Sequence, residues 1–170
     1  MTPSREVRLA LARRYETLAE LRRARDRGEP RPEGIFWKRL ADEHPGSLRE
    51  LDTLPLPILD ARAAALRAAA EGGPLEAWMI LLAHHRALWI AALRIKRAIQ
   101  PGDAIDDARV DALAREASAF AGVDVDNTFA RGVARPPRGR LEILILAQLE
   151  REHGRPAAEI AALVLPDARG

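Results

Sequence analysis

WMILLAHHRALWIAAL, residues 78–93, is the most apolar part of the chain, and it carries His84, His85 and Arg86 at its centre. Pro74 before it and Gln100-Pro101-Gly102 after it bound a helix over about 75–99. At about 100° per residue, Trp78, Leu81, Leu82, Leu88, Trp89 and Leu93 cover one broad side. Met79, Ile80, Ile90 and Ile95 extend the apolar surface around most of the cylinder. A weak sector remains at Glu76, Ala83, Ala87 and Arg94. A helix apolar nearly all round is normally enclosed by others, so this segment is expected to be the central helix of a bundle.

The three polar residues separate on that wheel. His84 lies at the edge of the weak sector, where solvent is within reach. His85 has Trp78, Leu81, Leu88, Trp89 and Ala92 at helical spacing, and Arg86 has Met79, Leu82, Trp89, Ile90 and Leu93. Neither has an Asp or Glu three or four positions away. A buried guanidinium without an acceptor is strongly unfavourable, so Arg86 needs a distant partner. The simplest expectation is a carboxylate such as Asp60, Glu43 or Asp106, with His85 bonded to a backbone carbonyl. The functional alternative is an internal pocket in which His84, His85 and Arg86 meet an anionic ligand against Trp78 and Trp89. Burial at an oligomer interface, where Trp and Arg are favoured anchors, is the third.

The rest of the sequence reads as all-α: a single bundle of six to eight helices. Ala, Leu, Arg and Glu dominate its 170 residues, and aromatics make up only 4%. Thr2-Pro3-Ser4 opens a long amphipathic helix that Gly28 closes, with Val7, Leu11, Tyr15, Leu18 and Leu21 on one face. That narrow stripe predicts packing on one side only, either on the body or against a second copy. GEPRPEG (28–34) is a linker, so residues 1–28 form an N-terminal element, 35–165 the helical core and 166–170 a short tail. Short helices follow at 35–44 and from Ser47, where Ser47 and Glu50 form a capping-box pattern. ILDARAAALRAAAEGG gives the next helix, and Asp103 begins one that runs to about Phe120. Residues 121–140 collect turn signals and are expected to be irregular.

Charge excludes some roles. Of 27 basic residues 25 are arginine, yet the net charge is only +2. Arg- and Ala-rich composition fits a high-GC bacterial genome and is weak evidence for phosphate binding. Basic and acidic residues number 11 and 6 over 1–40, 3 and 7 over 41–80, and 10 and 7 over 81–140. Over 141–170 they number 3 and 5, so the charge lies in alternating patches suited to self-association or a protein partner. There is no cysteine, hence no thiolate chemistry and no disulfide. The charged N-terminus is not a signal peptide, and the His-His-Arg triplet interrupts the one span of membrane-like hydropathy. A cytoplasmic location without membrane association is the expectation.

No metal or cofactor is implied. Adjacent histidines on one helix diverge too far to hold one ion, and the Glu-x-x-His pairs of di-iron bundles are absent. His44 and His153 stand near helix ends, where the dipole accounts for them. Arg135, Arg138 and Arg140 crowd a helix start, the place where phosphate or a nucleic-acid backbone would bind. DDARVD (106–111) is loosely like the metal-binding aspartates of isoprenoid enzymes, but a helix's first turns explain such acids as well. DVDNTF (124–129) lacks the Gly and Glu of a calcium loop.

ILILAQLEREHGRPAAEIAALVL (143–165) resembles the first two helices of a helix-turn-helix domain over about 23 residues. Only residues 166–170 follow, where a recognition helix would be needed, so a helical hairpin closing the bundle is expected. With no catalytic motif among these segments, the leading expectation is a non-catalytic interaction protein. A small-molecule binder or enzyme with a pocket at His85 and Arg86 comes second, and an arginine-based nucleic-acid binder third.

Overall fold

A computed structural model describes residues 3–43, 47–135 and 140–164, and among them it is all-helical. The helices are α1 (Arg5–Asp26), α2 (Gly34–Glu43), α3 (Ser47–Thr53), α4 (Leu56–Ala70), α5 (Ala77–Ala98), α6 (Asp107–Ala121), α7 (Asn127–Ala134), α8 (Leu141–His153) and α9 (Ala157–Val164). The bundle class is as the sequence predicts, and α5 falls within the predicted central helix. Among the described residues no helix is long and apolar enough to cross a membrane. His44, Arg138 and the 166–170 tail lie outside the described residues.

The extra element is α7, within the segment expected to be irregular. Asp126 caps it, its carboxylate accepting from the Phe129 N–H at 2.7 Å. Phe129, Ala130 and Val133 then give it a buried face. Gly132 disguises it, because glycine mid-helix reads as a breaker. Its reason is contact: a Cβ there would stand 2.9 Å from the Leu144 Cδ2 methyl of α8.

The described residues divide into two compact units, residues 3–83 with 162–164 and residues 84–161. The first is organised by α1 against α4. Leu11, Ala12, Tyr15, Leu18 and Ala19 are buried on α1, and Leu59, Ala63, Leu66 and Ala70 on α4. Alanine at the seam lets the two helices approach closely. Bidentate Arg67–Glu16 and Arg23–Asp60 pairs flank the seam, and the Arg8 guanidinium caps α4 by donating to the Ala69 carbonyl at 2.5 Å. The amphipathic face of α1 is thus covered within its own chain. Asp60, a candidate partner for Arg86, is engaged by Arg23.

At the heart of this unit is a buried charge network. Arg14 is 3% exposed and Glu50 2%. Arg14 Nη2 donates to Glu50 Oε2, the Tyr15 hydroxyl donates to Glu50 Oε1 at 2.9 Å, and Arg62 Nη1 donates to the Tyr15 oxygen at 2.9 Å. Arg62 Nη2 reaches the Leu163 carbonyl at 2.7 Å, and its guanidinium lies 5.5 Å from the Trp78 ring centroid. Desolvation pushes the Glu50 carboxyl upward, opposed by the Arg14 charge, the Tyr15 hydrogen bond and Arg62. Burial, and then the Glu50 charge, pushes the Tyr15 phenol upward too, so it remains a donor.

Removing one partner of a buried ion pair is far worse than removing both. Glu50→Ala is expected to destabilise folding by about 3–5 kcal/mol, while Arg14→Met with Glu50→Leu recovers most of that loss. Urea unfolding of the single and double variants measures it. A double variant no more stable than Glu50→Ala would show that packing, not the charge, sets the loss.

Candidate functional site

The buried seam of α5 is not where its bulk lies. Leu81, His84, Leu88, Ala91 and Ile95 are all 2% exposed or less, and their 3–4–3–4 spacing marks one continuous stripe. Trp78, Ile80, Trp89, Ile90 and Leu93 are only half-buried. His84, expected at a solvent-reaching edge, is instead 1% exposed. His85 is 5% exposed, whereas Arg86 is half-buried. Both are engaged; His85 also meets Trp89 edge-on, ring centroids 6.5 Å apart. Asp106, another proposed partner, caps α6 through the Arg109 N–H at 2.8 Å.

His84 meets α8. Its Nδ1 shares a 2.8 Å hydrogen bond with His153 Nε2, the rings standing edge to face with centroids 5.1 Å apart. Its Nε2 lies 3.2 Å from Glu152 Oε2. That approach is an ion-pair distance without hydrogen-bond geometry, so Nε2 has no hydrogen-bond partner among the described residues. Glu152 is itself held: the buried Gln148, one turn earlier, donates from Nε2 to Glu152 Oε1 at 2.6 Å. Gln148 Oε1 in turn accepts from Arg151. One carboxylate oxygen is therefore fixed and the other left toward His84.

These groups edge a cleft of about 600 Å³, lined by His84, Ser118, Ala119, Val123, Asp124 and Glu152 together with Gly122. The loop that completes it follows from the end of α6. Gly122 adopts φ 68°, a left-handed conformation that stops the helix and lets its N–H bond the Ser118 carbonyl at 2.9 Å. The Ser118 hydroxyl donates to the Ala114 carbonyl at 2.7 Å and accepts from the Val125 N–H at 2.9 Å. Both polar functions of Ser118 are thus structural: it ties down the loop that brings Asp124 to the rim. A nucleophilic role does not suit it.

A second cleft, of about 520 Å³, lies in the other unit beside Leu21, Pro30, Pro32, Trp37 and Leu51. Several of its polar groups are paired, Arg25 with Asp52 at 2.9 Å, Glu29 with Arg27 at 2.7 Å, and Trp37 Nε1 donating to the Pro32 carbonyl at 3.1 Å. Neither cleft is lined by His85, Arg86, Trp78 or Trp89. Of the predicted anion site, Arg135 and Arg140 are exposed. Among the described residues, no group of three or more His, Asp or Glu side chains is placed to hold a metal ion. No family model, curated protein or solved structure matches this chain.

Sequence reasoning missed His153, Glu152 and Gln148. His153 had looked like a helix-end residue answering to the dipole. The available signal was the alternating spacing through Leu81, His84 and Leu88, with alanine rather than tryptophan marking the seam.

Burial pushes the His84 pKa below its ordinary 6.5; the Glu152 charge opposes this and His153 reinforces it. Burial lowers His153 as well. Both imidazoles are accordingly neutral at neutral pH. As pH falls below 6.5 the unfolded chain takes up protons before the folded one, so this stability is complete above 6.5 and is lost below it. Urea midpoints should fall through that window in the wild type and fall less steeply in His84→Gln. Parallel curves for the two proteins would remove His84 from the acid response.

Proposed function

We propose that residues 84–161 form a binding module for a small polar molecule, seated in the cleft beside His84. One observation carries this reading: a histidine 1% exposed lines a cleft while its Nε2 lacks a hydrogen bond. Buried polar atoms are ordinarily satisfied, and exceptions concentrate where a ligand completes the set. The volume suits a small metabolite. Ala119 and Val123 supply apolar wall, and Asp124 and Glu152 supply polar rim. This is the small-molecule alternative of the sequence, moved from the Arg86 side of α5 to the His84 side.

The interaction reading retains its own support. Phe120 is 58% exposed and Ile143 61% in the 84–161 unit, and Ile35 is 68% exposed in the other. Isolated exposed apolar residues are common, and the closure of α1 on α4 removes one sequence motive for self-association. Sedimentation at rising concentration tests it: an increase in mass that Phe120→Ser abolishes would favour it, and a constant monomeric mass would reject self-association.

For the cleft, we expect a mixed set of small amines, carboxylic acids and amides to contain compounds that shift the His84 ring nitrogens and the Val123 methyls. The buried Val110 of α6 should remain unmoved. Nuclear magnetic resonance on histidine- and valine-labelled protein reads this. Shifts that avoid His84, or no shifts from any compound, would reject the site.

A further inference from the structure

Resting on that cleft as a binding site, its chemistry points further. We infer that its occupant is a small organic cation, a primary ammonium group on a short alkyl or hydroxyalkyl body.

The charge balance of the cleft is one-sided. Two carboxylates, Asp124 and Glu152, line it, and among the described residues no lysine or arginine does. Arginine dominates the basic residues of this chain, so the exclusion is notable. The arginine beside Glu152 is turned away: Arg151 donates to Gln148 Oε1 and lies 3.6 Å from Asp126. An anion would meet two like charges with no counter-charge on the walls, and repulsion in a partly desolvated cleft is strong.

The buried histidine adds a second, independent indication. With Nδ1 engaged by His153, a neutral His84 that holds its proton on Nδ1 presents an Nε2 lone pair to the Glu152 carboxylate. Two acceptors then face one another at 3.2 Å with no hydrogen between them. An ammonium group supplies what that arrangement lacks. It has three donors on one compact charge, sufficient for Glu152 Oε2, His84 Nε2 and a rim oxygen of Asp124. Glu152 covers Nε2 with a side chain that is 32% exposed, so a turn of that carboxylate onto the cation opens the imidazole as the second acceptor. Gln148 keeps Oε1 anchored through this turn. Ala119 and Val123 receive the alkyl body.

Nitrogen-labelled full-length protein titrated in parallel with ethylammonium, acetamide and acetate at constant ionic strength tests the inference. Ethylammonium should bind in the roughly millimolar range fitting so small a ligand, moving the His84 Nε2 resonance. Glu152→Gln should weaken it about tenfold or more, the loss of a charge-assisted contact. Asp124→Asn should weaken it less, and Arg97→Gln, on the exposed end of α5, should leave it unchanged. If acetamide or acetate moves His84 and ethylammonium does not, the cleft is a site and the cation assignment is wrong. If none of the three moves His84, and the mixed set of small compounds also fails, the site itself is rejected. Unchanged unfolding midpoints of the wild type and Glu152→Gln at pH above 6.5 keep the affinity loss separate from misfolding.

Discussion

A guanidinium buried among leucines must meet a carboxylate, and the 3–83 unit is arranged around that requirement. Arg14 sits between Leu11 and Leu18 on the buried face of α1, and Glu50 is brought to it from α3. Tyr15 then uses its hydroxyl as donor to Glu50 and acceptor from Arg62, which links α4 and the Leu163 carbonyl into the same set. Hydrophobic burial alone tolerates sliding between alanine-lined helices, because alanine offers little relief to lock a register. A buried charge does not tolerate it, since a shift of one turn would strand Arg14. The network therefore gives this unit a specificity that its apolar content, poor in aromatics, does not supply.

The ends of helices were largely legible in the sequence, because each end is decided by one or two residues acting locally. Ser4 and Gly28 stand at the two ends of α1 as their chemistry predicts, whereas α6 is capped by Asp106 rather than by the expected Asp103. Partners across space were not legible. Glu50 reads as the third helical residue of a capping box, a local role that conceals the distant one. Arg14 did have a visible signal, its place at i+3 from Leu11 and i−4 from Leu18, but so many arginines surround it that one on the apolar stripe does not stand out. The wheel of α5 failed for a related reason. Weighting by side-chain size turned it toward tryptophan, whereas close packing of helices is marked by alanine and by the residues in register with it.

The same failure explains why the candidate site shifted by one residue and one face. His85 and Arg86 attract notice because they have bulky apolar neighbours. Their exposure departs from that expectation in two places: Arg86 is only partly buried while His85 is buried, and His84 is the most enclosed of the three. What encloses His84 is a pair of consecutive residues, Glu152 and His153, at the end of α8, with Gly154 in the left-handed conformation directly after them. Consecutive residues of a helix diverge by about 100°, and Glu152 and His153 use that divergence to meet the two ring nitrogens of His84 separately. Helix termination, imidazole pairing and carboxylate placement are thus one local construction.

Gln148 shows how that construction separates structure from function within a single carboxylate. Its amide fixes Glu152 Oε1 and its carbonyl draws Arg151 away from the cleft. One buried amide thereby does two electrostatic jobs: it orients a negative charge and removes the nearest positive one that would neutralise it. Arg151 is the residue next to Glu152 and projects about 100° away around the helix, so the two are not facing partners, and Gln148, three residues from Arg151 and four from Glu152, is the group that reaches both. A neutral amide holds one oxygen of Glu152 without adding a counter-charge, which keeps the negative charge available at the cleft. Such an arrangement makes sense where the charge is kept for something outside the fold, and a cation entering beside His84 is the partner that its geometry and sign accommodate.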